Sequence, residues 1–260
     1  DDGSDDVIQK FCFDMMRHLI RYAHAKDKAI RFRVCQIVAG LINLMPEEVE
    51  IDDDLCEQLL DTFVCRLRDK IPAVRQQAVC ILTRIHDPLN PEDRITNEYK
   101  RLMSTDTNKD VRKEVIKCIV PSKFTLSSIV ERTRDVKDDV RRAAYEKLFT
   151  SCPFKRLSIL ERVSILKNGL RDRSKAVQEA CVSLLAQQWL GVQVENDIIA
   201  LLKALDVENY TETAELALNC LFDLNDAELK KHIMGKTIDI NQLTPQSVLY
   251  LRMKIQYLIR

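Results

Sequence analysis

The 260-residue sequence predicts an all-α fold, a solenoid of stacked helix pairs, and three observations carry that reading. The first is a recurring motif. Asp69-Lys-Ile-Pro-Ala-Val-Arg75 returns as Asp106-Thr-Asn-Lys-Asp-Val-Arg112, Asp135-Val-Lys-Asp-Asp-Val-Arg141 and Asp172-Arg-Ser-Lys-Ala-Val-Gln178, each with Asp five residues before Val, and more loosely as Lys28-Ala-Ile-Arg31. With Ile30, Val74, Val111, Val140 and Val177 as markers, the steps are 44, 37, 29 and 37 residues. That is the period of helix pairs that bury their apolar faces mainly against their neighbours. The second is composition: only 5 Gly and 7 Pro, with no sustained alternation of Val, Ile and Thr between turn signals, argue against sheet. The third is spacing. After the last motif, Val177, Ala180, Cys181, Leu184, Leu185 and Trp189 recur at helical intervals, one apolar stripe.

Each motif copy reads as a turn entering the second helix of a two-helix repeat. Taken in order, residues 7–25 form an amphipathic helix, apolar at Val7, Ile8, Phe11, Met15, Leu19 and Tyr22, and expected to pair with an element upstream. Residues 28–44 follow, closed by Met45-Pro46. An acidic loop enters 54–67, whose Asp cluster meets the positive end of the helix dipole. In 72–85, Pro72 suits the first helical position, where its missing N–H is not needed. Two prolines make 86–93 a loop. Residues 95–103 and 109–120 pair next, with Asn108 as the cap of the second and Pro121 as its stop. Residues 125–133 and 138–149 end at Cys152-Pro153, and 157–170 and 175–190, with Ser174 as a cap, carry the strongest stripes. Residues 197–205 with 211–221, and 226–233 with 245–259 behind Thr244, complete the series. The sum is a single curved superhelix over residues 1–260 of six to seven repeats of the HEAT type, near 7–44, 54–85, 95–120, 125–150, 157–190, 197–222 and 226–260. The acidic start and the helical pattern still running at Arg260 suggest an excerpt of a longer chain.

Hydrophobic residues make up 46% of the chain, enough for a continuous core. Nine Cys without a CxxC, and 4 His, indicate neither a disulfide framework nor a zinc site. Cys35, Cys80, Cys118, Cys181 and Cys220 fall on apolar stripes, where free thiols act as small core hydrophobes, as suits the cytosol or nucleus. No 18-residue apolar run and no signal-type start point to a soluble protein without a membrane partner. Net charge is zero, yet the charge is sorted. Residues 47–61, from Glu47 onward, hold eight acids and no base; 155–175 hold seven bases against Glu161 and Asp172; 195–228 hold nine acids and only Lys203. A basic middle between acidic flanks gives a local positive surface that the total hides.

No residue pattern points to an enzyme, a cofactor or a metal. Gly235-Lys236-Thr237 resembles the end of a phosphate-binding loop, but position 230 is Lys where that loop needs Gly. His18 and His24 are six apart and share no helix face, and Trp189 continues a core stripe. The bases are more informative. Arg31, Arg33, Arg66, Arg68, Lys70, Arg75, Arg132, Arg134, Lys137, Arg141, Arg142, Arg171, Arg173 and Lys175 all flank the repeated turns. On one reading the Arg after each Val, as at Arg75, Arg112 and Arg141, pairs with an Asp of a neighbouring turn, a structural ladder. On the other, bases repeated at one place form a stripe that suits a phosphate backbone, read by charge and not by base edges. Few aromatics interleave them, so duplex DNA fits better than a stacked single strand. An acidic partner peptide is a third possibility.

Several strings occur together and in order: Ala29-Ile-Arg-Phe-Arg-Val-Cys-Gln36, Glu50-Ile-Asp-Asp-Asp-Leu55, Arg66-Leu-Arg-Asp-Lys-Ile-Pro-Ala-Val-Arg75, Arg132-Thr-Arg-Asp-Val-Lys137, Leu170-Arg-Asp-Arg-Ser-Lys-Ala-Val177, Gln188-Trp-Leu190, Leu205-Asp-Val-Glu-Asn209 and Leu243-Thr-Pro245. From about residue 25 to the end they resemble CAP-G, a family of HEAT-repeat condensin subunits outside the SMC pair. The resemblance implies a non-catalytic regulatory subunit that binds the condensin kleisin subunit, of the CAP-H type. With the kleisin it would grip double-stranded DNA through a basic groove, without sequence preference, in mitotic chromosome condensation. The ATPase would belong to the SMC subunits, reached through the kleisin, and the location would be nucleus and chromosomes with a cytoplasmic pool. Carried onto this sequence, the DNA role falls on Arg31, Arg33, Lys70, Arg75, Lys137, Arg141, Arg142, Arg171, Arg173 and Lys175. Gln178, standing where the other copies have Arg, departs from the pattern. The alternative is a protein-binding HEAT scaffold or transport-receptor-like solenoid that takes acidic or extended peptides and ignores DNA.

Overall fold

A computed structural model describes residues 2–46 and 48–260, with side chains outside 2–6 and 240. Glu47 of the acidic run, and Asp1 with the side chains of the acidic start, lie outside the described residues. Among the described residues every regular element is helical, and none is long and apolar enough to cross a membrane. The chain divides into two compact units, Asp1–Ser128 and Ile129–Arg260.

The first unit holds α1 (Asp2–Ile20), α2 (Lys28–Leu44), α3 (Asp53–Arg66), α4 (Pro72–Leu82), α5 (Arg94–Thr105) and α6 (Lys109–Cys118). The second helices of the repeats form one layer, α2 on α4 and α4 on α6, and the first helices form the other, α1 on α3 and α3 on α5. This is the two-layer stacking of HEAT repeats, and the core between the layers contains Cys35, Val38, Leu59, Phe63, Val79 and Tyr99. Local signals start and stop the helices as the sequence indicates. Asp52 accepts from the Leu55 amide ahead of Asp53 and Asp54, Pro72 opens α4, and Asn108 accepts from the Asp110 and Val111 amides. The stripe expected to pair upstream is exposed at Val7, Ile8, Phe11 and Tyr22, and the residues buried within the unit are Phe13, Met16 and, in the following turn, Ala23. That segment is apolar on more than one side, so periodicity does not select the buried face.

The second unit opens within α7 (Leu126–Glu131), and after a 3₁₀ turn at Arg132–Arg134 come α8 (Asp138–Ser151), α9 (Ile159–Leu170) and α10 (Lys175–Ser183). It continues through α11 (Ile198–Ala204), α12 (Thr211–Phe222), α13 (Ala227–Gly235) and α14 (Pro245–Ile259). α8 packs on α10, α10 on α9, α9 on α12, and α12 on α14. Ser158 with Glu161, and Thr244 with Ser247, form reciprocal capping boxes. Ser174 does not cap α10 with its side chain; instead its own amide donates to Asp172 Oδ1 at 2.8 Å. The stretch expected as the end of one α-helix departs from α geometry, because Leu184–Gln193 winds as a π-helix. It closes where Glu195 and Asn196 take φ of 52° and 64° and the Asn196 amide donates to the Leu190 carbonyl at 2.8 Å. Its Trp189 is buried, tilted against Phe154 at 6.2 Å between ring centres, in the core role the sequence assigns it.

Tyrosines tie helices together in both units. The hydroxyl of Tyr99 donates to the Val79 carbonyl at 2.6 Å, that of Tyr145 to Ile165 at 2.8 Å, and that of Tyr250 to Ile233 at 2.6 Å. Each is a buried phenol whose polar end reaches a backbone acceptor. Tyr145 also closes over Gly169, where a Cβ would stand 2.6 Å from its Oη and 2.5 Å from Cys181 Sγ.

Candidate functional site

The turns that repeat in sequence are built alike in space. In each, the Asp carboxylate folds back on the amide two residues ahead: Asp69 on Ile71, Asp106 on Asn108, Asp135 on Lys137 and Asp172 on Ser174, all at 2.8–2.9 Å. The residue after the branched marker then reaches back six positions to the carbonyl of the Asp in its own turn. Arg75 does so to Asp69, Arg112 to Asp106 and Arg141 to Asp135 at 2.7–2.8 Å, and Gln178 to Asp172 at 2.6 Å. In this way Gln178 keeps the backward bond although it lacks the guanidinium.

The rest of the guanidinium reaches forward to the next turn. Arg31 grips Asp69 through Nε and Nη2 at 2.7 and 3.1 Å, Arg75 grips Asp106 at 2.7 and 2.7 Å, and Arg141 grips Asp172 at 2.7 and 2.8 Å. These two-pronged pairs are largely shielded from water, with side-chain exposures of 14% and 3%, 12% and 3%, and 7% and 8%. Burial alone pushes the Asp69 and Asp172 carboxyls up, but the arginine hydrogen bonds, the backbone amides and the arginine charge together hold both below their ordinary value. The hydrogen bond to Asp172 likewise raises Arg141 against the opposing effect of burial.

Of the ten bases proposed to meet DNA, three, Arg31, Arg75 and Arg141, are thus held in the ladder. The other seven stand at the same turns but outside it. Arg33, Lys70, Lys137, Arg171, Arg173 and Lys175 are exposed and Arg142 is half-buried. Two of these form ion pairs: Arg142 Nε lies 3.2 Å from Glu146, one turn along α8, and Arg171 Nη2 lies 2.8 Å from Glu212 of α12. Arg33 bonds Gln36 at 2.6 Å and lies over the Phe32 ring. In the second unit Arg173 Nη2 reaches the Val136 carbonyl at 3.4 Å, which sets it beside Lys137, and Lys175 opens α10 two residues on. In the first unit Arg33 and Lys70 stand near the starts of α2 and α4.

Sequence reasoning missed a clamp. Arg84 donates to the carbonyls of Met45 at 3.1 Å and of Pro46 and Val49 at 2.5 Å, fixing the loop after α2. It lies outside the repeated motif and so carried no periodic signal. Arg68 bonds Glu98, which Arg101 also holds at 2.8 Å. Lys236 of the Gly235-Lys236-Thr237 string pairs with Asp197 at 3.2 Å.

No family model matches the chain. Curated relatives do. Over 249 residues, 94% of the chain, it is 40% identical to condensin complex subunit 3 of Xenopus laevis, and over 245 residues, 92% of the chain, it is 42% identical to condensin complex subunit 3 of Homo sapiens. In each case the chain spans 24% of the relative's length. The crystal structure of the Schizosaccharomyces pombe condensin Cnd3-Cnd2 subcomplex contains a chain that superposes with a TM-score of 0.83 at 33% identity, over 95% of this chain and 32% of that one.

Proposed function

The chain is homologous to condensin complex subunit 3 over about a quarter of that protein, and on this premise we propose that it is a segment of such a subunit, of the CAP-G type. Its role is non-catalytic: it binds the kleisin subunit and with it grips double-stranded DNA, in the nucleus and on chromosomes. The solved Cnd3-Cnd2 subcomplex, in which the similar chain sits with a partner subunit, supports the kleisin part.

The observation that carries the DNA part is the division of labour among the turn bases. Arg31, Arg75 and Arg141 are neutralised by buried carboxylates, so they stabilise the stack and offer little to a ligand. Lys70, Lys137, Arg173 and Lys175 sit at the same turns, exposed. Bases held at repeated positions on rigid helix starts suit a polyanion whose charges recur at regular spacing, and no base-edge reading is needed.

The test is fluorescence anisotropy with mixed-sequence duplex DNA at two salt concentrations, with and without the kleisin segment. Two variants address the two units separately: Arg33→Glu with Lys70→Glu, and Lys137→Glu with Arg173→Glu and Lys175→Glu. Binding that weakens steeply with salt, and a salt slope that falls by about one for each phosphate contact removed, agrees with the assignment. Folded variants that bind as the unaltered chain does place the DNA contact elsewhere. Kleisin binding with no DNA binding in any protein favours a peptide-binding scaffold.

A further inference from the structure

One side-chain cluster belongs to neither the ladder nor the exposed bases. Cys80 on α4 faces Glu114 and Cys118 on α6, and one donor atom from each lies within 4.8 Å of the others. Glu114 and Cys118 are four residues apart and so share a helix face. The packing of α4 on α6 brings Cys80 opposite them.

We propose that Cys80, Glu114 and Cys118 form a binding site for a thiophilic divalent cation of the zinc type, with solvent as a fourth ligand. A tetrahedral zinc ion places sulfur and oxygen ligands about 3.6 Å apart and two sulfurs about 3.8 Å apart. Cys80 Sγ already lies 3.7 Å from Glu114 Oε1, and the full set needs to contract by at most about 1 Å. The second carboxylate oxygen is held by other groups: Gln76 Nε2 and Lys117 Nζ each lie 3.4 Å from Oε2. Outer partners of this kind orient a carboxylate ligand, here with Oε1 toward the thiols. The site is partly sheltered, with Glu114 17% exposed and both cysteines half-buried, which leaves an ion a path in from solvent. Two thiolates with one carboxylate select a zinc-type ion over magnesium or calcium. Binding expels the two thiol protons to solvent and links the second helices of adjacent repeats.

The experiment uses the reduced chain with Co²⁺ as a spectroscopic probe, followed by displacement with Zn²⁺. One equivalent of Co²⁺ is expected to give a thiolate-to-metal charge-transfer band that Zn²⁺ removes. Cys80→Ser or Cys118→Ser abolishes the band, Glu114→Gln weakens binding at least about tenfold, the scale on which even outer partners act, and Cys65→Ser at the exposed cysteine changes nothing. In the unaltered protein, Zn²⁺ is expected to protect Cys80 and Cys118, but not Cys65, from alkylation read by peptide mass spectrometry, which requires no variant to fold. A band that survives both cysteine changes, or alkylation indifferent to Zn²⁺, would each overturn the site.

Discussion

Replacing Arg141 by Met tests whether the ladder holds the stack together. Arg141 makes two charged hydrogen bonds to Asp172 and one to the Asp135 carbonyl, in a pair only 7% and 8% exposed. Removal leaves the Asp172 carboxylate in a shielded site, still bonded to the Ser174 amide but without the guanidinium that neutralises it. Breaking a buried pair from one side costs about 3–5 kcal/mol, because the orphaned charge is not rehydrated. Adding Asp172→Asn removes that charge while keeping an acceptor for the Ser174 amide, so the double variant recovers part of the loss. The assay is urea unfolding followed by the fluorescence of Trp189, the single tryptophan, buried in the second unit. A shift of midpoint at constant m reports stability alone. The pH dependence has a defined sign. Asp172 titrates below its ordinary value in the native state, so its contribution is complete above the unfolded pKa of about 4 and is lost as pH falls through the native one. The gap between the parent and Arg141→Met therefore narrows below about pH 4. A loss under about 1 kcal/mol at neutral pH, the scale of a solvent-exposed pair, would refute the argument.

Two further outcomes follow from the packing. Gly169→Ala puts a methyl 2.5 Å from Cys181 Sγ and 2.6 Å from Tyr145 Oη, and overpacking of this kind costs about 1–3 kcal/mol, read as a lowered melting temperature; an unchanged melt would mean that the α9–α10 contact is loosely packed. Burial pushes the Tyr250 hydroxyl up to about 12 and raises Tyr145 further still. Stability from these phenols is full below the unfolded value of about 10 and falls as pH rises toward the native one, so Tyr250→Phe flattens the alkaline unfolding curve while costing about 1 kcal/mol at neutral pH; identical curves would contradict this.

What the sequence discloses, and what it withholds, follows from how far each interaction reaches along the chain. Caps and stops act within a turn of their own residue, and Asn108, Thr244 and Pro72 accordingly stand where the local pattern puts them. Ser174 makes no side-chain cap bond, although Asp172 holds its amide just as Asp106 holds that of Asn108, which does cap. The buried face of α1 and the π-helical Leu184–Gln193 depend on which neighbours press against them, and neither is written in the period of apolar residues. The bases were legible as a group, but their division was not. Arg75 and Lys70 look equally suited to phosphate in sequence, and only the 31-residue reach to Asp106 separates the bound arginine from the open lysine. The Cys80 cluster was invisible for the same reason, since its spacing of 34 and 38 residues matches no short metal motif.

Within each unit the ladder also separates two demands that would otherwise compete at the repeated turns. Each arginine that joins neighbouring turns has its charge cancelled by a partner it shares with no ligand, so adhesion between repeats adds almost nothing to the outward field. The residues between the rungs, such as Lys70, Lys137 and Lys175, contribute charge without bearing on cohesion. Such a row of turns can change sign or intensity by substitution at those intervening positions alone while its repeats stay joined, whereas a change at a rung, as at Gln178, keeps the bond within the turn and gives up the guanidinium that reaches the next one.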